Sequence, residues 1–265
     1  MSEYTTIRDG RAVMWKKIRI TALLGILVFV SGQTISQQLW ANSWVRPLNV
    51  VIYPLAGDNS IITSRYIDRL RGDDFADIER FMRHEARRYG VHGDVLNLSL
   101  APQLRSAPPP VPDQAGMVQS IAFSLYFRFW ALVHDRSHAP GDIRLFVVFH
   151  DPDRSQDLPR SIALRKGILG LVHVFADASM QPTNNFVIGH EMLHTLGATD
   201  KYDLGTNLPQ YPQGYARPFQ RNPDQQVKAE IMGGRIPVDR WTAVMPGSLD
   251  DAVIGAYTAL EIHWF

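Results

Sequence analysis

The chain has no cysteine among its 265 residues. That excludes disulfides, thiolate-bound zinc and a thiol nucleophile, but it leaves the compartment open, because an exported protein need not carry cystines. An excess of one charge is also missing: 27 Lys and Arg stand against 26 Asp and Glu. A nucleic-acid binder would show a basic face or stripe, and here the cations are scattered, so no nucleic-acid partner is expected. Internal repeats are absent. With 45% hydrophobic and 20% charged residues the chain sits in the globular range, and general disorder is excluded. Its length buries the core of one sizeable domain or two small ones.

Long apolar runs are scarce, and the clearest lies near the N-terminus. Arg8, Arg11, Lys16, Lys17 and Arg19 precede "ITALLGILVFVSG", residues 20–32. Cations ahead of an apolar run read as a signal anchor or a signal peptide. Continued through Ile35 and Leu39 to Trp40, the run reaches the roughly 20 residues a spanning helix needs. The expectation is therefore a basic cytoplasmic tail at 1–19, a transmembrane signal anchor at 20–40 and an exported domain at 41–265. That places the domain on the periplasmic or extracellular side of the cell membrane. Cleavage near residues 30–32, giving a secreted protein, is the alternative.

Beyond Pro47, strand-like and helix-like segments alternate. Residues 48–55, 94–100, 142–151 and 166–177 are short and rich in β-branched residues and read as strands. Residues 73–90 begin with acids, end at Gly90 and place Phe75, Ile78, Phe81, Met82 and Ala86 at helical spacing. Residues 117–133 fit either period. A crossover between parallel strands favours a helix there, and a second membrane span is the alternative. A helix is expected over 248–264, capped by Ser248 or Asp250. Residues 202–227 are Pro-, Gly- and Tyr-rich without periodicity, and a loop this long is usually functional or disordered. The fold class is α/β or α+β.

The chemistry concentrates in "VIGHEMLHTLGATDKYD", residues 187–203. His190 and His194 are four apart, so on a helix both project from one face. That spacing lets two imidazoles reach one Zn²⁺, while Glu191 points to a neighbouring direction as a base for water. Gly197 ends the helix, and Asp200 is placed to turn back as third ligand. H-E-x-x-H alone arises by chance in about one such chain per hundred; adding Gly and Asp at fixed offsets lowers this to a few in a hundred thousand. A helix with two ordinary histidines is therefore the weaker reading. Tyr202, Tyr211 and Tyr215 are candidate oxyanion donors, and Glu230 is a rival third ligand. Asp203 is a candidate partner of the histidines, or a calcium ligand with Asn207. His173 reads as an ordinary strand histidine.

H-E-x-x-H-x-x-G-x-x-D resembles the metzincin clan of zinc endopeptidases, in the snapalysin-like variant with aspartate as third ligand. The resemblance spans roughly residues 142–262. It implies a zincin domain with a mostly parallel twisted sheet, an antiparallel edge strand, an active-site helix and a C-terminal helix. It implies His190, His194 and Asp200 as ligands of one Zn²⁺ and Glu191 as general base toward a metal-activated water. Met232, followed by two glycines, corresponds to the methionine that the clan places in a turn under the metal. Residues 170–177 are similar to the clan's edge strand, which pairs with extended peptide substrate. No tyrosine follows the methionine closely; Arg235 and Ile236 come after the glycines. Two other functions stay open at this point: a non-catalytic zinc-binding envelope protein that binds a partner, and a zinc amidase acting on cell-wall amides.

Overall fold

The computed structural model describes residues 43–112, 116–135, 141–155, 157–164 and 168–265, with isolated positions between Trp15 and Gly25. Those positions apart, the expected tail and anchor (1–19 and 20–40) lie outside the described residues. Among the described residues no helix is long and apolar enough to cross a membrane.

The chain enters strand β1 (Leu48–Ala56), whose alternate residues feed two separate apolar layers. Helix α1 (Ile61–Arg69) follows, with the Ser60 side chain accepting from the Ile62 N–H at its start. A 3₁₀ turn leads into α2 (Ala76–Arg88), which buries Ile78, Phe81, Met82 and Ala86 along one stripe. Then come β2 (Leu96–Leu100), α3 (Met117–His134), β3 (Ile143–His150), β4 (Ile162–Leu164), β5 (Leu169–Phe175) and α4 (Gln181–Leu196). The remainder holds short pieces: β6 (Ala229–Glu230), β7 (Ile236–Pro237), β8 (Ala243–Val244), β9 (Ala252–Val253) and α5 (Ala256–Glu261).

Five strands form one sheet in the order β2-β1-β3-β5-β4. All neighbours are parallel except β4, which runs antiparallel to β5. On one face Val50, Ile52, Leu145, Val147, Phe149, Val172 and Val174 pack against α2 and the apolar side of α4. On the other, Val51, Tyr53, Leu55, Phe146, Val148 and Leu171 pack against Phe127, Trp130 and Ala131 of α3. Helices on both faces of a mostly parallel sheet make a three-layer α/β domain. Because β2 and β3 both lie parallel to β1, the link between them must return along the sheet, and α3 is that crossover.

Two expectations are corrected. Residues 170–177 are not the edge strand: β5 is internal, covered by the three-residue β4, which is too short to leave a period in the sequence. The expected helix over 248–264 is broken. Ser248 caps only a 3₁₀ turn at Leu249–Asp251. Ala252 and Val253 then pair with β6, and helix resumes for six residues in α5. Distant acids cause the break, since Glu85 accepts from the Ile254 N–H and Glu230 from the Gly255 N–H.

His173 lies on β5 with its Nδ1 2.9 Å from His150 Nε2 on β3. One ring donates and the other accepts, so at least one ring must be neutral, and protons on both would break the bond. Burial lowers both pKa values; His173, additionally beside His150, falls from 6.5 to about 4. A lowered folded-state pKa means that the unfolded chain binds the proton more readily between these values. The resulting stability is present above pH 6.5 and is lost as pH falls toward 4. Allowing for solvent screening of a half-buried ring, the loss is on the order of 1–2 kcal/mol. Denaturant unfolding between pH 7 and pH 4 should show a shallower decline for His173→Gln than for the parent; identical slopes would exclude this pair as the cause.

Candidate metal centre

Helix α4 is fixed at both ends before its ligands are considered. Near its start, Asn184 bonds across to β5, donating to the Phe175 carbonyl at 2.8 Å, and Asn185 donates to the Asp74 carbonyl at 2.8 Å. Between the ends, Phe186, Ile188, Met192, Leu193 and Leu196 are buried in the core. At its end Gly197 has φ 113°, a left-handed conformation that costs glycine nothing. The Gly197 N–H then reaches the His194 carbonyl and the Ala198 N–H the Leu193 carbonyl, which is the Schellman pattern of helix termination. This turn aims the Ala198 carbonyl back at the helix, 2.8 Å from His194 Nδ1.

His190 is held in the same way. Its Nδ1 lies 2.8 Å from the Ile231 carbonyl. A carbonyl only accepts, so each Nδ1 carries the proton, and a neutral ring then presents a bare lone pair at Nε2. The two Nε2 atoms are 3.1 Å apart. Asp200 Oδ1 is 3.2 Å from the first and 3.0 Å from the second. That oxygen is buried with no hydrogen-bond donor among the described residues.

Three acceptors facing one another repel unless a positive charge lies between them. Ligand atoms at 2.0–2.1 Å from a tetrahedral ion would stand about 3.3 Å apart, close to this triangle. A proton on an imidazole is the other source of positive charge. Burial alone would lower the His190 pKa, but Asp200, Glu191 and the Ile231 carbonyl outweigh it and raise it. Asp200 answers in the opposite direction: burial would raise it, yet the two histidines hold it far below the usual carboxylate range. Two nitrogens and one carboxylate oxygen make a donor set able to hold one metal ion. Among the described residues no other group of three His, Cys, Asp or Glu side chains converges in this way.

Glu191 stands beside this triangle without joining it. Burial pushes its carboxyl above the ordinary range, against the pull of His190 and His194. Tyr202 lines the same space, its ring centroid 6.2 Å from that of His190. Burial, followed by the charges of Asp200 and Glu191, raises its phenol to about 12, so it is a donor at neutral pH. Two openings meet at Glu191 and Tyr202. One is a cavity of about 190 Å³ between Phe186, Val187, Gly233, Gly234 and Met245. The other is a cleft of about 780 Å³ running along residues 160–164, including β4, to His194 and Asp200.

The remaining candidates separate clearly. Met232 is buried in a 3₁₀ turn, Ile231–Gly233, closed by Gly234 at φ 71°. The turn touches both halves of the site: its Ile231 carbonyl holds His190, and its Met232 carbonyl accepts from the Lys201 N–H at 2.8 Å. Glu230 is no ligand, because its buried carboxylate is consumed by Gly233 N–H, Gly255 N–H and the Thr258 hydroxyl. Asp203 does not support the histidines either; it is exposed and accepts from Gly205 and Thr206 in its own turn. Tyr211 and Tyr215 pack edge-on against each other and line neither opening.

Sequence reasoning missed Glu261. From α5 its carboxylate accepts from Thr199 N–H and hydroxyl and from Lys201 Nζ at 2.7 Å, clamping both neighbours of Asp200. Lys201 itself is buried. No local signal marks Glu261, since its partners lie about 60 residues away in the sequence. Glu261→Gln should weaken zinc binding 10- to 100-fold in chelator competition, as loss of a ligand's support does; unchanged affinity would show that the clamp is dispensable.

No protein-family model matches the chain, and a search of curated proteins finds no match. What the chain has in hand is an α/β domain with a His190–His194–Asp200 group able to bind metal, which is compatible with a zinc enzyme.

Proposed function

We propose that the protein is a zinc-dependent endopeptidase of metzincin-like type, tethered to the cell membrane by residues 20–40 with its catalytic domain outside the cytoplasm. The observation that carries this reading is the meeting of two imidazole Nε2 atoms and one carboxylate oxygen within 3.2 Å of one another, next to a half-buried carboxylate, at the head of a cleft below an edge strand. His190, His194 and Asp200 would hold the ion. Bound there, zinc supplies a Lewis acid and lowers the pKa of water toward neutrality.

The chain's own groups do the rest. Glu191, its pKa raised by burial, takes a proton from the attacking water and delivers it to the leaving amine. Tyr202 remains protonated and offers its hydroxyl to the oxygen that gains charge. An extended peptide adds to the outer edge of β4, which pairs only with β5 among the described strands. The apolar cavity beside Glu191 accepts one side chain next to the scissile bond. Met232 supports the floor through its turn.

The test is digestion of a broad peptide library by the full chain with and without chelator. Cleavage that is lost with chelator and restored by zinc supports the reading. Stoichiometric zinc with no cleavage of any peptide would favour the non-catalytic alternative, and cleavage confined to non-peptide amides would favour the amidase.

A further inference from the structure

Helix α3 is apolar on both sides. Its inner side, through Phe127, Trp130 and Ala131, is buried on the sheet. Its outer side leaves Met117, Ile121, Leu125, Phe129 and Leu132 exposed, with Met117 81%, Phe129 63% and Leu132 71% accessible. Between Met117 and Val133 the only charged residue is Arg128, and it is half-buried with its Nε turned inward and lacking a hydrogen-bond partner. A helix that is hydrophobic all round is normally covered on every side, and an exposed apolar face of this kind marks an interaction surface.

The topology says what lies next to that face. As the crossover from β2 to β3, α3 descends to the end of the sheet where β1 and β3 begin. Its last residues are tied there: Asp135 pairs with Arg144 at 2.9 Å and accepts from the Tyr53 hydroxyl. The chain arrives from the N-terminus at this same end, crossing beneath the sheet from the opposite layer, where Trp44 Nε1 donates to the Ile262 carbonyl at 2.7 Å. Arg46 makes two 2.7 Å bonds to Asp142, and the Asn49 N–H donates to the same carboxylate. The 42 residues ahead of Ser43 carry five cations and the apolar run of 20–32.

We propose that the outer face of α3 lies in the headgroup–acyl boundary of the bilayer that the N-terminal segment enters. The inference rests on the membrane-tethered reading above, but it is independent of the metal chemistry. A tether ending just ahead of Ser43 keeps this end of the sheet, and with it the C-terminal end of α3, near the lipid surface. A helix of 18 residues, about 27 Å long, then lies flat with its outer side chains inserted. Lipid is favoured over residues 20–40 as the occupant because an apolar run of that length behind five cations belongs in the membrane itself. One consequence concerns substrate. Ser120 and Phe123 of α3 line the metal cleft together with β4, so the cleft opens beside the bilayer and favours extended segments that emerge from it.

The absence of cysteine makes the test clean. Single-cysteine chains L125C, F129C and L132C, and F219C and W241C as exposed apolar controls elsewhere, each take one environment-sensitive fluorophore. The full-length protein is reconstituted into phosphatidylcholine–phosphatidylglycerol vesicles after each variant is shown to keep the parental Tm. The α3 labels should be quenched several-fold more by lipid-borne nitroxide than by aqueous iodide, and the control labels should show the reverse. Iodide quenching of the α3 labels equal to that of the controls would overturn the proposal. Protection of those labels from both quenchers would also overturn it, because the face would then be covered by protein, either residues 20–40 or a second copy. Neither readout involves zinc or hydrolysis, so a failure here and a failure of the metallopeptidase reading are distinguishable.

Discussion

Glu191→Gln should lower kcat by about 10²- to 10⁴-fold while leaving zinc content and KM close to the parental values. Glutamine keeps the size and hydrogen-bonding oxygen of the side chain but has no lone pair basic enough to take a proton. Zinc should stay because Glu191 lies outside the ligand triangle, which is closed by His190, His194 and Asp200 alone. The elevated pKa of the Glu191 carboxyl, caused by burial, brings its basicity closer to that of a working base near neutral pH. Steady-state kinetics beside metal analysis separates the outcomes. A variant that cleaves within tenfold of the parent would remove Glu191 from the proton transfer.

The second large effect falls on the metal. Asp200→Ala should weaken zinc binding by more than about 100-fold, beyond the 10- to 100-fold expected for a supporting residue. The substitution deletes one of three donors together with the only negative charge among them. Because bound ligand stabilises by RT ln(1 + [L]/Kd), a 100-fold weaker site also removes about 2.7 kcal/mol of the zinc-dependent stability at saturating metal. The increase in Tm that zinc brings should shrink in thermal melts, and the same melts without zinc report separately the loss of the Asp200–histidine contacts. Asp203→Ala is the matched control, three residues away and confined to its own turn; an equal effect there would mean that general loop damage explains both.

The parts of this molecule that were readable in the sequence are those set by short-range physics. The β-branched runs around Val50 and Val147 are too short for helices and became β1 and β3. The stripe of Ile78, Phe81, Met82 and Ala86 became α2. The two histidines lie one turn apart on α4, and the left-handed glycine that ends the helix sends the chain back to Asp200, so their geometry follows from helix pitch and one backbone conformation.

What was not readable depends on distant partners. Strand β4 has three residues and takes its place only by pairing with β5. Helix α1, with only Thr63 and Ile67 buried, carries too narrow an apolar stripe to announce itself. The C-terminal helix was broken by Glu85 and Glu230, acids from far upstream that bind its backbone. The support for Asp200 comes from Glu261, and the support for His190 from a backbone carbonyl, which has no sequence signature at all.

Hydrolysis at this site requires two imidazoles and one carboxylate to converge on a single ion, and titration of the metal-free full chain with zinc tests that convergence most directly. One zinc per chain is expected, with nitrogen and oxygen ligands in X-ray absorption, and binding should collapse in the His190→Ala/His194→Ala double variant. Equal zinc binding by the parent and the double variant would contradict it.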